Sequence, residues 1–572
     1  LVYYSIDYIY IVFLPGLYEP GFFYGGKAMK KTFLVALIII AVVGSVFAGG
    51  GQSGSTGNAA ATSNLNFTGY PMNKLDEKVT WSTNQDLANR VGSIQESPFH
   101  QNYSKMVGVT IDWSKNTVGT TYDQLYAQLM AGSVKDLPYI MSTISTTAPE
   151  LMISDGVMWD ITPYLEKWSP NYFKAMNDRP ERLKAMKTDS GKYWSYGFFR
   201  QDGPFLDTWV GPIVRKDWLD ANNLPIPKTI SDWDKTLDVF KTKYGAMWSA
   251  ERTFFFDHVG LAGAFGAYSG YNYGVFVKDG KVQAANIQPE WRDYIAKMSE
   301  WYAKGYIDPD HLTLDRATFN AKALSGQIGL TYAAGSRVQE MVINATAAKN
   351  GANWIGIGYP HGNNNTLVAI QGGWGIVGSG GGSSAWITKA VPPDKLELVM
   401  RILDYAYSDE GFMFTNFGMK GDTWNYDSNG NFYFTDKWLK DVDAPDYEQT
   451  RMKYVGQRGG YAGIQATAAL YLPGLPQDSP QFSAFKAWYD PNPEQAYSWR
   501  MPPGTTLTAE EALRNAELVS TINTYVAEMA VSFVTGQTPL SQFDNFVSRL
   551  NQMGLQEALS IQQASYDRWQ KR

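Results

Sequence analysis

Cysteine is absent from all 572 residues, which excludes disulfides, Cys-ligated zinc, iron–sulfur centres and a thiol nucleophile. Histidine is scarce: His100, His258, His311 and His361 lie far apart, without the H-E-x-x-H or H-x-x-E-H spacing of a zinc enzyme. No P-loop and no G-x-S-x-G elbow occurs. Charged residues make up only 18% of the chain, with 49 basic against 55 acidic side chains and a net charge of −6. That balance carries no electrostatic footprint for nucleic acid. Aromatic residues are plentiful by contrast: 19 Trp, 36 Tyr and 28 Phe form 15% of the chain. The length predicts more than one compact unit.

Residues 1–28 are a Tyr/Phe/Ile-rich run with no helical or strand period. Met29 then opens MKKTFLVALIIIAVVGSVFA, which has the layout of an export signal. Lys30 and Lys31 form its basic region, Phe33 to Val43 its apolar stretch, and Val46-Phe47-Ala48 its small-residue cleavage pattern. The apolar run is short for a bilayer core of about 30 Å, and Gly44 interrupts it. A cleavable signal works at the start of a chain, so residues 1–28 read as a mis-assigned upstream translation. The alternative is a genuine aromatic extension. Gly49 stands where a lipoprotein needs Cys, so lipid anchoring is not expected. Residues 49–75 begin GGGQSGSTGNAAATSN and read as a flexible leader. The expected product is exported and periplasmic.

From Lys78 onward apolar patterns alternate between strand and helix periods. Val79–Trp81, Val109–Trp113 and Leu137–Met141 read as strands, while Phe99–Val107 and Tyr122–Met130 read as helices. This spacing argues for a doubly wound α/β lobe, whose ligands meet the loops at the carboxyl ends of the strands. A second region begins near Val210. A short helix carries Asp217-Trp218-Leu219, and a longer one follows with Ser231 as its N-cap. Val275–Ala285 reads as a hairpin turning at Asp279-Gly280, and Pro289–Lys304 as a helix. Gly378–Ser384 reads as a flexible crossover, the stretch KLELVMRILDYAYS as a strongly amphipathic helix, and 509–535 and 540–566 as two closing helices. Asp427–Asn431 superficially resembles a calcium loop, but Asn429-Gly430 between YD and FYF reads better as a hairpin turn.

The order of longer motifs carries a resemblance. They are GKYWSYGF (Gly191–Phe198), IVRKDWLDANNLPIPKTISDWDKTLDVFK (Ile213–Lys241), WYAKGYIDPD (Trp301–Asp310) and FNAKALSGQIGL (Phe319–Leu330). Two more follow, Ile387–Trp424 and Phe533–Trp569. In these the chain resembles the extracellular solute-binding proteins of carbohydrate ABC importers, the group that includes maltose- and alginate-oligosaccharide-binding proteins. The resemblance implies a periplasmic-binding-protein-like α/β fold: two discontinuous lobes joined by a hinge of two or three crossings, with a ligand cleft between them. Residues 76–200 and 384–450 are expected in one lobe, and 201–383 and 451–572 in the other. The crossings are expected near Phe199–Gly211 and Gly372–Ser384. Some longer relatives carry a calcium-binding loop after the helix matching Trp233–Tyr244. Here Gly245-Ala246-Met247-Trp248 follows directly, so that site is not carried over.

Sugars present apolar C–H faces rimmed by hydroxyls, so their sites combine aromatic platforms with polar partners. By position, Asn84, Gln85 and Asp86 follow the first strand, and Ser142 and Thr143 the third. Trp194, Tyr196, Arg200 and Asp202 lie where the chain crosses, with Trp209 just beyond. An Arg200–Asp202 ion pair is an alternative to ligand contact, and Trp218 reads as packing. The loop containing Phe256, Asp257 and His258 corresponds to one that offers sugar an aromatic and an acidic residue in the resembled family. Tyr332 ends a strand, Trp374 has glycine on both sides, and Asp422 stands near Trp424.

The resemblance implies a carbohydrate ligand and ABC permease partners, a monomer, no cofactor and no catalysis. The competing readings are a secreted glycoside hydrolase or lyase using paired carboxylates, or a binding protein for a non-sugar polar ligand. Pairs such as Asp308/Asp310 and Glu510/Glu511 arise by chance among 55 acidic residues.

Overall fold

The computed structural model describes residues 65, 67–82, 94–113, 137–142, 148–200, 210–250, 259–268, 274–311, 314–362, 377–378, 385–439, 441, 453–455, 462–465, 480–489, 499–502 and 504–572. The export signal, residues 1–28, most of the leader and the helix expected at Tyr122–Met130 lie outside them. Among the described residues no helix is long and apolar enough to cross a membrane.

The strands are β1 (Lys74–Thr80), β2 (Val109–Asp112), β3 (Ile140–Ser142), β4 (Ser195–Tyr196), β5 (Phe198–Arg200), β6 (Val210–Arg215), β7 (Met247–Ala250) and β8 (Val275–Lys278). They continue with β9 (Lys281–Ala284), β10 (Ile328–Ala334), β11 (Trp354–Gly356), β12 (Val377–Gly378), β13 (Ala385–Ile387), β14 (Trp424–Tyr426), β15 (Phe432–Phe434) and β16 (Gly463–Gln465). The helices used below are α1 (Pro98–Val107), α2 (Pro149–Ser154), α3 (Pro180–Met186), α4 (Lys216–Ala221), α5 (Ile230–Tyr244), α6 (Pro289–Ala303) and α7 (Gly335–Ala348). After them come α8 (Leu396–Asp404), α9 (Asp409–Phe417), α10 (Pro480–Tyr489), α11 (Ala509–Val534), α12 (Phe543–Gln552) and α13 (Leu555–Gln570).

In the first lobe the strand order is β2-β1-β3-β13-β4, with Trp81 bridging in parallel to Ile140 and β13 antiparallel to both neighbours. Side chains alternate across a strand, so Ile140, Ala385 and Ile387 enter one core while Met141 and Trp386 enter a second on the opposite face. The larger core adds Phe99, Tyr103 and Val107 of α1. The smaller is closed by Met152 of α2 with Val157 and Met158.

Helix α8 is buried along its whole length instead of presenting a polar face to water. Two features account for this. Its Glu397 and Arg401 pair with each other at 2.6 Å. The end of the expected leader is also ordered over it: the Arg401 guanidinium lies 3.9 Å from the centre of the Phe67 ring, and the Tyr70 hydroxyl donates to the Arg401 carbonyl at 2.7 Å. A buried ion pair needs such cover and hydrogen bonding to offset its desolvation.

The second lobe is built on β11-β6-β10-β7, with β7 parallel to β10 and β6 antiparallel to β10 and β11. Trp233, Leu237 and Phe240 of α5 and Trp291, Ile295, Met298 and Trp301 of α6 fill its core. The N-cap of α5 is Thr229 and not Ser231: Asp232 N–H donates to the Thr229 hydroxyl at 3.1 Å and Thr229 N–H to the Asp232 carboxylate at 3.0 Å. This reciprocal capping box satisfies two donors, which a cap at Ser231 does not. The expected hairpin is β8–β9, with both Asp279 (φ 52°) and Gly280 (φ 74°) left-handed at its turn. The last expected helix is two, α12 and α13, because Gly554 at φ 94° breaks the run.

Helix α10 lies directly on the sheet because glycine lets it approach. A Cβ on Gly211 of β6 lands 2.5 Å from the Trp488 indole, and one on Gly356 of β11 lands 2.4 Å from the Ala484 Cβ. Phe417, Trp424, Phe434, Trp438, Tyr454 and Val455 belong to this second core. Among the described residues the stretch 384–450 contributes to both cores: Phe414 is its last buried member of the first core, Met419 packs at that core's edge, and Ala462 belongs to it again.

Between the lobes stands a sheet of order β12-β5-β16. Strands β5 and β16 are parallel to each other, and β12 is antiparallel to β5. Strand β16 lies later in the chain than the lobe boundary expected at 450/451.

Candidate ligand-binding cleft

The edges of the two lobe sheets decide where a ligand meets the protein. In the first lobe Ser142, Ala385 and Tyr196 are register neighbours, and Ser142 N–H donates to the Ser82 hydroxyl at 3.0 Å. This edge carries the carboxyl ends of β1, β3 and β4 and the amino end of β13. In the second lobe Ala334 pairs with Val210, and β7 ends at Ala250 beside Tyr332. That edge carries the carboxyl ends of β7 and β10 and the amino end of β6. The hinge strands join these edges: β5 leaves β4 toward Val210, and β12 leads toward Ala385. Both carboxyl-end edges therefore adjoin the hinge, where ligands of open α/β sheets bind.

Of the six candidate residues whose side chains are described, five are packed in this structure and the sixth, Asp422, is partly exposed. Ser142 is fully buried, and its hydroxyl accepts from the Trp81 indole at 2.7 Å, tying β3 to β1. Tyr196 shares a hydrogen bond of 2.6 Å with the Ser169 hydroxyl and packs on Tyr172, whose ring centre is 4.7 Å away. Trp194 belongs to the small core with Met141 and Trp386, and its indole N–H finds no hydrogen-bond partner among the described residues. Tyr332 is 1% exposed, enclosed by Trp233, Trp248 and Tyr359.

Trp424 donates to the Gly418 carbonyl at 2.9 Å and stacks on Phe432. Asp422 holds Lys437 at 2.6 Å. Strand-end position does not separate cleft from core here, because an odd or even step along the strand sends the ring to opposite faces. Trp218, expected to pack, does so: it stacks on Tyr244 at 4.2 Å under Arg215.

The backbone of Arg200 lies in the hinge, paired with Gln465. Asn84, Gln85, Asp86, Thr143, Asp202, Trp209, Phe256, Asp257, His258 and Trp374 lie outside the described residues.

A polar cluster that sequence reasoning did not single out supports the second-lobe edge, where β10 turns directly into α7. Arg337 is fully buried and donates to Glu340 at 2.5 Å and to Asn320 at 3.0 Å, while Arg316 pairs with the same carboxylate. Burial raises the Glu340 pKa, but Arg337 and Arg316 overcome this and hold it at about 2. The only signal in sequence was an acidic residue three positions after an arginine on an apolar helix. Asp427 is likewise engaged in its own turn: it accepts from the N–H groups of Asn429 and Asn431 at 2.8 Å, in the β14–β15 hairpin that sequence favoured over a calcium loop.

No protein-family profile matches the chain. The structure of the alginate-binding protein AlgQ2 without calcium ion matches with a TM-score of 0.65 at 18% identity, covering 86% of this chain and 98% of that one. The Streptococcus pneumoniae ABC-transporter substrate-binding protein FusA in complex with kestose matches with a TM-score of 0.67 at 19% identity, covering 86% and 99%. This is the solute-binding-protein fold. In sequence, the fructooligosaccharide ABC transporter substrate-binding protein FusA of S. pneumoniae serotype 4 is 22% identical over 497 residues, 82% of this chain and 86% of FusA. A polygalacturonan/rhamnogalacturonan-binding protein of Bacillus subtilis, YtcQ, is 27% identical over 198 residues, 33% of this chain and 36% of its own. The match to the solute-binding-protein fold covers 86% of the chain.

Proposed function

We propose that this protein is the substrate-binding component of an ABC importer, and that it takes a carbohydrate, an oligosaccharide, into the interlobe cleft. One observation carries the reading: both carboxyl-end edges adjoin a three-stranded hinge, in a fold matched over 86% of the chain by carbohydrate-binding proteins. In this reading the protein is exported, acts outside the cytoplasmic membrane, delivers its ligand to permease subunits and catalyses nothing. The contacts in this reading fall to Asn84, Gln85, Asp86, Thr143, Asp202, Trp209, Phe256, Asp257, His258 and Trp374, with Arg200 at the hinge. Ser142, Trp194 and Tyr196 pack within the first lobe near its edge.

The energetics are attainable. Micromolar affinity needs about 8 kcal/mol, and charge-assisted hydrogen bonds contribute roughly 1.5–3 kcal/mol each. To drive closure from 1:99 to 99:1 the ligand must favour the closed state by about 5.5 kcal/mol.

A thermal-shift screen of mono- and oligosaccharides tests the proposal. A ligand at a hundred times its Kd stabilises the native state by about 2.7 kcal/mol, a readily measured rise in Tm. The same mixtures are assayed for reducing ends. A Tm rise with no new reducing ends is expected. Release of reducing ends makes the protein a hydrolase, and stabilisation only by peptides or polyamines removes the sugar.

A further inference from the structure

We propose that the last helix is an electrostatic latch between the lobes and sets the balance of open and closed forms. The idea rests on the hinged binding-protein reading, but concerns residues that are not among the proposed ligand contacts. Helix α13 is rooted in the second lobe. Leu555 and Ala558 enter its core, and the Gln563 side chain accepts from Val282 N–H at 2.7 Å and donates to the Gly280 carbonyl at 3.1 Å. Its other end grips the first lobe. Arg568 donates to Asp189 at 2.7 Å, and Arg572 donates to the same carboxylate at 2.9 and 2.6 Å.

Arg572 also donates to the carbonyls of Lys187 and Gly504, the latter at 2.7 Å, and its side chain is only 8% exposed. Lys187 is the C-cap of α3, so the guanidinium also places positive charge at that helix's negative end. Arg568 is braced from its own lobe by Glu511 of α11, at 2.8 Å.

The position of this grip gives it leverage. Helix α3 contributes Ala185 and Met186 to the first core. Its Arg182 guanidinium lies 4.8 Å from the ring centre of Phe199, in hinge strand β5. Beside it, Gly504 at φ 83° lets the two lobes' backbones meet: a Cβ there would lie 2.2 Å from the Ala185 carbonyl oxygen. Rotation about the hinge sheet therefore changes the Asp189–Arg568–Arg572 geometry directly. Asp189 Oδ1 accepts both bonds from Arg572 and Oδ2 accepts from Arg568, so one carboxylate is shared by two arginines, unlike an ordinary exposed ion pair.

The absence of native Cys makes the test clean. Spin labels are placed through Glu166→Cys in the first lobe and Ala347→Cys in the second, both exposed, and the interlobe distance is measured by double electron–electron resonance without ligand. Asp189→Asn is expected to change the ratio of the distance populations by about five- to thirty-fold, the ratio that ~1–2 kcal/mol produces. Arg572→Gln should shift it in the same direction. Glu511→Gln, which perturbs the Arg568 brace and the α11 capping box, both within the second lobe, should shift it less.

If Asp189→Asn and Arg572→Gln both leave the distribution unchanged, the latch is refuted. Because the readout needs no sugar, a distance shift in a protein that binds no carbohydrate leaves the latch standing and removes the ligand assignment alone.

Discussion

Replacing His100 by Asn separates one buried titration from the rest of the protein's acid response. His100 is 1% exposed on α1, hydrogen-bonded with the Ser97 side chain and set edge-on against Trp113 at 4.6 Å. Burial disfavours the imidazolium and lowers the pKa from 6.5 to about 3. For a base whose folded pKa is depressed, the stabilising contribution is complete above the unfolded pKa. It is lost as pH falls from 6.5 toward 3. One pKa unit corresponds to 1.36 kcal/mol, so the loss reaches about 3 kcal/mol by pH 4.5 and about 4 kcal/mol near pH 3.

Other groups titrate in the same range. Asp404, pushed up to about 6 by burial, gains protons in the folded state and opposes the trend. The comparison of His100→Asn with the parent cancels such terms. The variant should be less stable at pH 7.5 but should lose less on acidification, so the two urea-midpoint curves converge between pH 6.5 and 4. With only four His in the chain, imidazole NMR resonances provide a direct second measurement. If the His100 resonance titrates near 6.5 in the folded protein, or the two stability curves stay parallel, the burial argument is wrong.

Two further outcomes are expected. Glu340→Gln strips the counter-charge from fully buried Arg337 and should cost about 3–5 kcal/mol in urea unfolding at pH 7. Because Glu340 is held at about 2 against its ordinary 4.5, that difference should shrink as pH falls through this window. Trp488→Ala empties the contact between α10 and Gly211 and removes the donor to the Pro212 carbonyl at 3.1 Å. A loss of about 3–5 kcal/mol is expected, and a loss under 1 kcal/mol would mean that α10 is not seated on β6 and β11.

Much of the fold was legible because local and global signals agreed. The β8–β9 hairpin, α1, α4 and α6 carried their own punctuation in Asp-Gly, Pro and apolar periodicity. What failed was decided by distant partners. Nothing near Phe67 reveals that its ring covers Arg401, so the end of the leader read as free chain. The continuity of Trp424 and Trp438 with the second core is equally invisible locally. For the site, sequence identified strand ends but not faces. Tyr332 and Trp424 satisfy every local criterion for a sugar platform and are enclosed by other aromatic rings. In a chain with 15% aromatics, many of the described rings pack against other rings, and composition has little power to mark a ring that stacks on ligand.

The hinge follows a simple rule of direction. A segment crossing from the first lobe to the second runs opposite to one that returns. Hence β5 and β16, both outward, pair in parallel, and β12, which returns, pairs antiparallel to β5. The same reversal explains why neither lobe sheet is purely parallel: β13 receives the returning chain at the edge where β3 and β4 end, and β6 receives the outgoing chain where β10 ends. Because β5 and β12 both run between the same two edges, groups on those edges stay nearest the pivot during rotation. A ligand held there feels small displacements at large mechanical advantage, while groups on the outer parts of the lobes swing furthest. Specificity can then be altered in the loops without redesigning the hinge, and the open–closed balance can be altered at Asp189, Arg568 and Arg572 without touching the ligand.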